Sequence, residues 1–335
     1  MLSITTIRKA IAKFRRPKSI VILAYHRICE LTGLFYDRNV SATPSEFRRQ
    51  MEHVKKNYTA IPIRRLVDYY DGKTDIPKNS IVITFDDGFK DTVENALPIL
   101  RELELPAIVF IATDFLRKNY TPWEDEMAYL INQIAGNNRL DDVNAALRLN
   151  AGAVDKESFI FMICKSLRGV NGRQRSFVLK QLYTIAGLSE ANVRQILTAS
   201  PKGMMDDEDV MEWVASGLEI GSHTCSHPQL SNINSAEAEK ELLFSKCNLE
   251  KISNKEVIAF AYPYGMKGYY NKDSIKSVQK AGYRCAVSLI GGINGSKTNR
   301  FDLKRVGIAP YVSFESACAG LIQYQKKTTL YSRIL

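Results

Sequence analysis

The sequence predicts an α/β fold, in which a distorted barrel of alternating strands and helices carries a helical insertion. Short apolar runs rich in β-branched residues recur, and each ends in polar or glycine-containing sequence, which is typical of buried strands. Helical patterns such as Pro44–Asn57 and Asp91–Leu103 separate several of these runs. The order strand, helix, strand favours a parallel sheet or an α/β barrel. The predicted strands are Ser19–Tyr25, Ser80–Phe85, Ala107–Ala112, Leu218–Ile220, Val257–Ala261, Cys285–Leu289 and Leu303–Ile308.

The stretch 115–204 interrupts this alternation, because helix-like segments follow one another there without an intervening strand. An insertion after a strand's carboxyl end lies on the active-site face of a barrel, so it forms either a lid or substrate-binding wall, or a small packing subdomain. The predicted helices are Met127–Ile134, Leu140–Leu149, Glu157–Leu167, Arg175–Ile185 and Glu190–Leu197. We divide the chain into residues 1–18, a first barrel part (19–114), the insertion (115–204), a second barrel part (205–315) and a C-terminal helix or tail (316–335).

Composition limits the classes of partner. The 335 residues include 46 Lys and Arg against 36 Asp and Glu, and the net charge of +10 favours an anionic membrane surface, a phosphate-bearing substrate or nucleic acid. The basic residues are spread and no recognised nucleic-acid motif is present, so we expect no nucleic-acid partner. The six cysteines are scattered without a CxxC pair, which is typical of reduced thiols.

Residues 1–18 form a separate basic segment. Its six arginines and lysines have no acidic neighbour within it, and its isoleucines recur at helical spacing. This pattern indicates an amphipathic helix, either on an anionic membrane surface or packed on its own domain. No signal-peptide core precedes Ser19, so we expect a cytoplasmic protein, peripheral on the inner face of a bacterial membrane if this segment binds lipid.

Two motifs carry the candidate chemistry. Asp86 and Asp87 follow a predicted strand, and alone they are most simply explained as a turn. His223 and His227 follow another strand, and alone they are equally well explained as solvated loop residues. Together, two imidazole nitrogens and one carboxylate oxygen make a three-ligand set with an open position, which is typical of a catalytic metal site. Asp86 lies beside this set as a candidate base.

These motifs resemble those of the polysaccharide deacetylases of carbohydrate esterase family four, the NodB-homology proteins. The resemblance runs from about residue 21 to residue 308, and the helical insertion is its least typical part. It implies a barrel of the polysaccharide deacetylase type, with Asp86 as the catalytic base. The implied metal ligands are Asp87, His223 and His227.

Further blocks of the sequence extend the resemblance. Pro263 and Tyr264 match a turn that points the tyrosine N–H at the substrate's carbonyl oxygen, although a turn packing the barrel rim explains the same residues. His26 matches the general-acid histidine of a permuted subgroup that includes the poly-N-acetylglucosamine deacetylases. Many members carry an arginine just before the proline turn, and this arginine contacts the catalytic Asp. This chain has Ala261 and Tyr262 at those positions. Arg305 either makes this contact with the catalytic Asp instead or pairs with a surface carboxylate.

The resemblance implies metal-dependent removal of an N-acetyl group from an amino sugar in a polysaccharide, oligosaccharide or lipid-linked glycan precursor, with release of acetate. The expected cofactor is a divalent ion, zinc first, with cobalt, nickel or manganese as alternatives, and the expected partner is an N-acetylated glycan. Cys225, between the two histidines, has no role in the family, and we expect it to turn away from the metal. Two other functions compete: a metal-dependent amidohydrolase for a small non-sugar amide, and a non-catalytic carbohydrate- or membrane-binding barrel.

Overall fold

Strands and helices alternate along the chain, as the sequence predicts. The computed structural model describes residues 19–32, 36–117, 120–149, 155–170, 172–199 and 203–321. The strands are β1 Ile20–Tyr25, β2 Arg27–Ile28, β3 Val40–Ala42, β4 Thr59–Ala60, β5 Ser80–Phe85, β6 Ile108–Ile111, β7 Glu219–Ser222, β8 Ala259–Ala261, β9 Cys285–Val287 and β10 Val306–Gly307. The α-helices are α1 Pro44–Asn57, α2 Ile63–Tyr70, α3 Leu97–Glu102, α4 Trp123–Gly136, α5 Leu140–Leu147, α6 Lys156–Arg168, α7 Gly172–Ala186, α8 Glu190–Thr198, α9 Asp207–Ala215, α10 Ser235–Ser253, α11 Lys272–Lys280 and α12 Phe314–Cys318.

A parallel sheet curls around the centre of the molecule and confirms the predicted fold class. Its strands follow the order β10, β1, β5, β6, β7, β8, β9, and the short strand β4 also pairs with β5. The segment that leads into β10 also contacts the other end of the sheet, because Leu303 forms a parallel bridge with Val287 of β9. Val306 on the same segment pairs with Leu23 of β1. This segment therefore joins both ends of the sheet and closes the distorted barrel.

Both faces of the strands are buried, which explains their continuous apolar runs. In β1, Ile20 and Ile22 belong to one apolar cluster, whereas Val21 and Leu23 belong to another. The period of two assigns alternate side chains to the two faces of the sheet. The predicted strands lie within three residues of the observed ones. Strands β2, β3 and β4 were missed, because they are two or three residues long and, unlike the equally short β8 to β10, do not lie within a longer predicted run.

One predicted helix is divided. The pattern Asp91–Leu103 contains a π-helical turn, Thr92–Ala96, followed by α3. Pro98 has no N–H to donate to a carbonyl one turn earlier, so the helical ladder cannot continue regularly through it. The Leu97 N–H instead reaches back five residues, to the carbonyl of Thr92.

Helices α4 to α8 follow one another in the predicted insertion and share their own apolar core, which includes Leu130, Ile131, Phe159 and Val193. None of the described helices is long and apolar enough to cross a membrane. The predicted amphipathic segment 1–18 and residues 322–335 of the predicted C-terminal segment lie outside the described residues.

A buried ion cluster ties α4 to the barrel. Arg27 in β2 donates from Nη1 to Asp91 Oδ2 at 2.9 Å and from Nη2 to Asp125 Oδ2 at 2.6 Å. Asp125, in the first turn of α4, also accepts from the Tyr36 N–H at 2.9 Å. These three charged side chains are each about 1% exposed. Because buried charges are tolerated only when they are matched, this cluster sets where α4 meets the barrel.

Replacing Asp125 with alanine should lower the free energy of unfolding by about 3 kcal/mol, because Arg27 keeps only one of its two carboxylates. Urea denaturation measures this difference. Asp142→Ala is the matched control within the insertion, since Asp142 pairs with Arg139 at the surface and its loss should cost less than about 1 kcal/mol. Equal losses for the two variants would contradict the anchoring role of the cluster.

Candidate active site

The residues singled out by the sequence meet at one end of the barrel. In parallel strands, the segments that follow the carboxyl ends share one face. His26 follows β1, and Asp86 and Asp87 follow β5. His223 and His227 follow β7, and Pro263 and Tyr264 follow β8 after one intervening residue, Tyr262. Six of these side chains line a cavity of about 240 Å³: His26, Asp86, Asp87, His223, His227 and Tyr264.

Three donor atoms converge in this cavity. Asp87 Oδ1 lies 3.4 Å from Nε2 of His223 and 3.4 Å from Nε2 of His227, and the two nitrogens lie 3.1 Å apart. Asp87 Oδ1 is buried and has no hydrogen-bond partner among the described residues. A buried, unsatisfied carboxylate oxygen beside two imidazole nitrogens fits a divalent cation. These three residues could therefore hold the predicted metal.

His223 is oriented by its second ring nitrogen. Its Nδ1 lies 2.7 Å from the Ala261 carbonyl oxygen, which can only accept, so Nδ1 carries the proton and Nε2 presents a lone pair to the cavity.

The strand that leads to His223 needs a glycine. A Cβ on Gly221 would lie 2.4 Å from Cδ1 of Phe110 in the neighbouring strand β6.

The loop between the two histidines is held from α10. Glu241 accepts from the Cys225 N–H at 2.8 Å and from the Ser226 N–H at 2.9 Å. The Cys225 thiol donates to the Glu241 backbone oxygen at 3.4 Å, towards the helix. Thr224 and His227 have left-handed backbones, with φ of 69° and 58°. These conformations cost about 1–3 kcal/mol each and are held by the surrounding contacts, which turn the His227 ring inward.

The two histidines have different proton affinities. Burial and the nearby His223 charge lower the pKa of His227 to about 3, so its ring is neutral at physiological pH. Burial lowers the pKa of His223, but its contact with Asp87 and the charge of Asp86 more than offset this and raise the pKa overall. A cation bound here would compete with the proton on His223, as is usual for imidazole ligands.

Asp86 forms a buried ion pair with Arg305. Arg305 donates from Nη1 to Asp86 Oδ1 at 2.7 Å and from Nη2 to Oδ2 at 2.6 Å. The same guanidinium donates to Thr84 Oγ1 at 3.0 Å and to the Ser288 carbonyl at 2.8 Å. Burial raises the pKa of Asp86, but the Arg305 charge and hydrogen bonds lower it below its ordinary value. The carboxylate is therefore ionised at neutral pH, and Arg305 pairs with this residue rather than with a surface carboxylate.

His26 lies at the solvent side of the same carboxylate. Its Nε2 is 4.0 Å from Asp86 Oδ2, and its side chain is 24% exposed. The His26 N–H donates to Ser41 Oγ at 2.9 Å, which holds the backbone where β1 ends. An accessible imidazole next to a buried carboxylate can exchange a proton with a ligand in the cavity.

Tyr264 lies in a turn that packs against His227. Its φ is 61°, and its ring meets the His227 ring at 4.7 Å edge to face. Among the described residues, its backbone N–H has no hydrogen-bond acceptor. Pro263 before it is buried, and a Cβ on Gly265 after it would lie 2.6 Å from the Leu289 nitrogen, so this position accepts only glycine.

Several residues near the site carry no local sequence signal. Glu241 supports the histidine loop, yet it occurs in an ordinary helix pattern. Glu124 of α4 and Arg168 of α6 line the cavity, so the insertion forms one of its walls. Their helices were predictable from periodicity, but the face of each helix that meets the barrel was not.

Comparison with known proteins gives one family. The chain matches the family model described as polysaccharide deacetylase over residues 73–140 and 163–286. A poly-β-1,6-N-acetyl-D-glucosamine N-deacetylase of Staphylococcus aureus is 32% identical over 108 residues, which cover 29% of this chain and 37% of that protein. The chain spans less than two thirds of the curated relatives that it matches.

Solved structures share the fold. A Streptococcus pyogenes deacetylase in complex with acetate aligns with a TM-score of 0.61 at 18% identity, covering 92% of this chain and 100% of that one. IcaB from Ammonifex degensii aligns with a TM-score of 0.60 at 16% identity, covering 91% and 97% of the two chains. At these identities the likeness establishes the barrel architecture.

Replacing His227 with alanine should weaken zinc binding by more than about 100-fold, because it removes one of three converging donors. Titration with a competing chromophoric chelator measures the affinity. Cys225→Ser is the matched control from the same loop and should bind zinc like the unmodified protein, since the Cys225 thiol donates towards α10. Tight binding by the His227 variant would rule out this donor set.

Proposed function

Because this chain belongs to the polysaccharide deacetylase family, we propose that it hydrolyses the N-acetyl group of an amino sugar in a glycan and releases acetate. One observation carries the proposal. Asp86, ionised by a buried arginine, lies directly before Asp87, whose unsatisfied oxygen meets two imidazole nitrogens. A base beside a three-donor cation site is the arrangement that metal-assisted amide hydrolysis uses. The name of the Staphylococcus aureus relative supports an N-acetylated glycan as the substrate.

Asp87, His223 and His227 would hold the divalent ion. Two imidazole nitrogens and a carboxylate suit zinc, and cobalt, nickel and manganese are the alternatives. When bound, such an ion polarises a carbonyl group and makes water more acidic. The chain's own residues then have three tasks: to accept a proton from water, to stabilise the negative oxygen and to protonate the leaving amine.

Asp86 is the proposed base. Arg305 donates to both oxygens of the carboxylate and thereby fixes its orientation. Each oxygen keeps a further lone pair, and one of them can accept the proton of the attacking water. Arg305 is a positioning residue, since it is fully buried and acts on the substrate only through Asp86.

Tyr264 and His26 are proposed to complete the reaction. The Tyr264 N–H, which has no acceptor among the described residues, donates to the carbonyl oxygen as its negative charge grows. His26 donates its proton to the sugar nitrogen while the bond between this nitrogen and the carbonyl carbon breaks. The products are acetate and a free amino sugar.

Asp86→Asn should lower the rate of acetate release by about 10²–10⁴-fold, because the amide cannot accept a proton. Zinc content should remain near that of the unmodified protein, since Asp86 is not one of the three converging donors. Acetate is measured enzymatically on a panel of N-acetylated oligosaccharides, with a chelator and with zinc or cobalt restored. Normal turnover by the Asp86 variant, or turnover that is insensitive to the chelator, would overturn the mechanism.

His26→Ala should slow deacetylation by about 100-fold or more when the leaving group is a sugar amine. With an aryl acetate ester the loss should be small, because a phenolate leaves without a proton. The ratio of the two rates is the measurement. His53→Ala is the control, because His53 packs between Tyr58 and Phe314 away from the cavity. An equal loss on both substrates would contradict the role of His26 as the acid.

A further inference from the structure

Arg168 is a half-buried arginine that forms no ion pair with a carboxylate among the described residues. It ends α6 and lines the active-site cavity. Within the part of the chain that the structure describes, its guanidinium forms neither an ion pair nor a hydrogen bond, and its Nε is buried without a partner. Arg27 and Arg305 are fully buried, and each pairs with carboxylates. Removing a charge from water without pairing it is costly, so the half-buried Arg168 cation is better explained if an anion enters the cavity.

A second buried donor lies in the same cavity. Tyr36 is 3% exposed, and its buried hydroxyl lies beside the Cys164 thiol, a weak acceptor, with no oxygen or nitrogen partner among the described residues. Arg168 and Tyr36 both line the active-site cavity, so the two donors share one space. Arg38 lines this part of the cavity as well, with its Cζ 3.7 Å from the centre of the Phe161 ring. Two guanidinium groups and a phenol are a typical set for phosphate or carboxylate.

Arg168 lies close to the proposed reaction centre. The Arg168 Cζ is 5.1 Å from the centre of the Tyr264 ring. The Tyr264 and His227 rings meet edge to face, with their centres 4.7 Å apart. One aromatic ring therefore separates Arg168 from a proposed metal ligand. An anion bound at Arg168 would belong to the same sugar as the reacting amide, or to the group attached next to it.

Glu124 is the acid of the insertion that lines the cavity, and it could compete with a bound anion. Among the described residues, Arg168 and Glu124 form neither an ion pair nor a hydrogen bond, although both line the cavity. Burial raises the pKa of Glu124 to about 7, and the Arg168 charge partly opposes this rise. Glu124 therefore balances the Arg168 charge only in part and leaves the N–H groups of its guanidinium available to a ligand.

We propose that Arg168, Arg38 and Tyr36 form a subsite for an oxyanion carried by the substrate, so that the preferred substrate is an anionic N-acetyl amino sugar rather than a neutral polymer. The anion is a phosphate at the anomeric position or a carboxylate on the sugar, since arginine recognises both through paired N–H groups. This inference rests on the proposed deacetylation and extends it to the substrate class.

The test compares two forms of one sugar. The unmodified protein should release acetate from N-acetylglucosamine 1-phosphate with a higher kcat/KM than from methyl N-acetylglucosaminide. N-acetylmuramic acid, which carries a carboxylate, tells the two kinds of anion apart. Arg168→Gln should lower kcat/KM for the anionic sugar by about 10- to 100-fold and leave the methyl glycoside within about 2-fold.

Two further variants separate recognition from folding. Arg168→Lys keeps the charge without the paired N–H groups and should retain part of the preference. Arg194→Gln, on helix α8 of the same insertion, replaces an arginine that pairs with Glu190 at the surface. This arginine lies 3.9 Å from the buried Glu126, outside the cavity lining, so the variant should keep the full preference. Equal rates of the unmodified protein on both sugars, or an equal loss on both in Arg168→Gln, would overturn the subsite.

A binding measurement distinguishes this proposal from the proposed function. Calorimetry should show that N-acetylglucosamine 1-phosphate binds more tightly than the methyl glycoside, and that Arg168→Gln abolishes the difference. If this pattern holds while no acetate is released from either sugar, the deacetylase function fails and the subsite stands. If acetate is released but the two sugars bind equally, the subsite fails and the deacetylase function stands.

Discussion

The buried pair of Arg305 and Asp86 is the interaction on which the site depends. Arg305 belongs to the segment that joins both ends of the curled sheet, and it also bonds to Thr84 of β5 and to the Ser288 carbonyl just beyond β9. Two fully buried charges are stable only when they are matched. Closing the barrel therefore positions Asp86, and the left-handed turn at Asp87 directs the next carboxylate to the histidines.

The barrel and the insertion contribute different chemistry to one cavity. The barrel carries the proposed base, the cation donors and the N–H of Tyr264, all at strand ends or in the turns that follow them. The insertion contributes Glu124 and Arg168 to the wall. Because the buried cluster around Arg27 fixes the start of α4, and α6 packs on α4, the position of Arg168 depends on a contact at the base of the insertion. The same barrel could thus accept other substrates with a different insertion.

Much of the fold was predictable because its signals are local. The apolar runs of β1, β5 and β6 and the helical periods of α4 to α8 extend over enough residues to identify each element. The short strands β2 to β4 were missed because no longer predicted run surrounds them, as one does around the equally short β8 to β10. The π-helical turn before Pro98 was missed because a shifted hydrogen bond leaves no repeating pattern. The joining of the sheet ends through Leu303 depends on pairing between segments and was not visible in either one alone.

By itself the sequence determined the α/β class, the family resemblance and the four residues Asp86, Asp87, His223 and His227, since these lie in compact motifs directly after strands. Only the tertiary structure decided what Arg305, Glu241 and Arg168 contact. Arg305 lies 219 positions from Asp86 in the chain, and no local pattern encodes a pairing across that separation. It arises because parallel strands bring distant segments side by side and because a buried charge must meet its counterpart there.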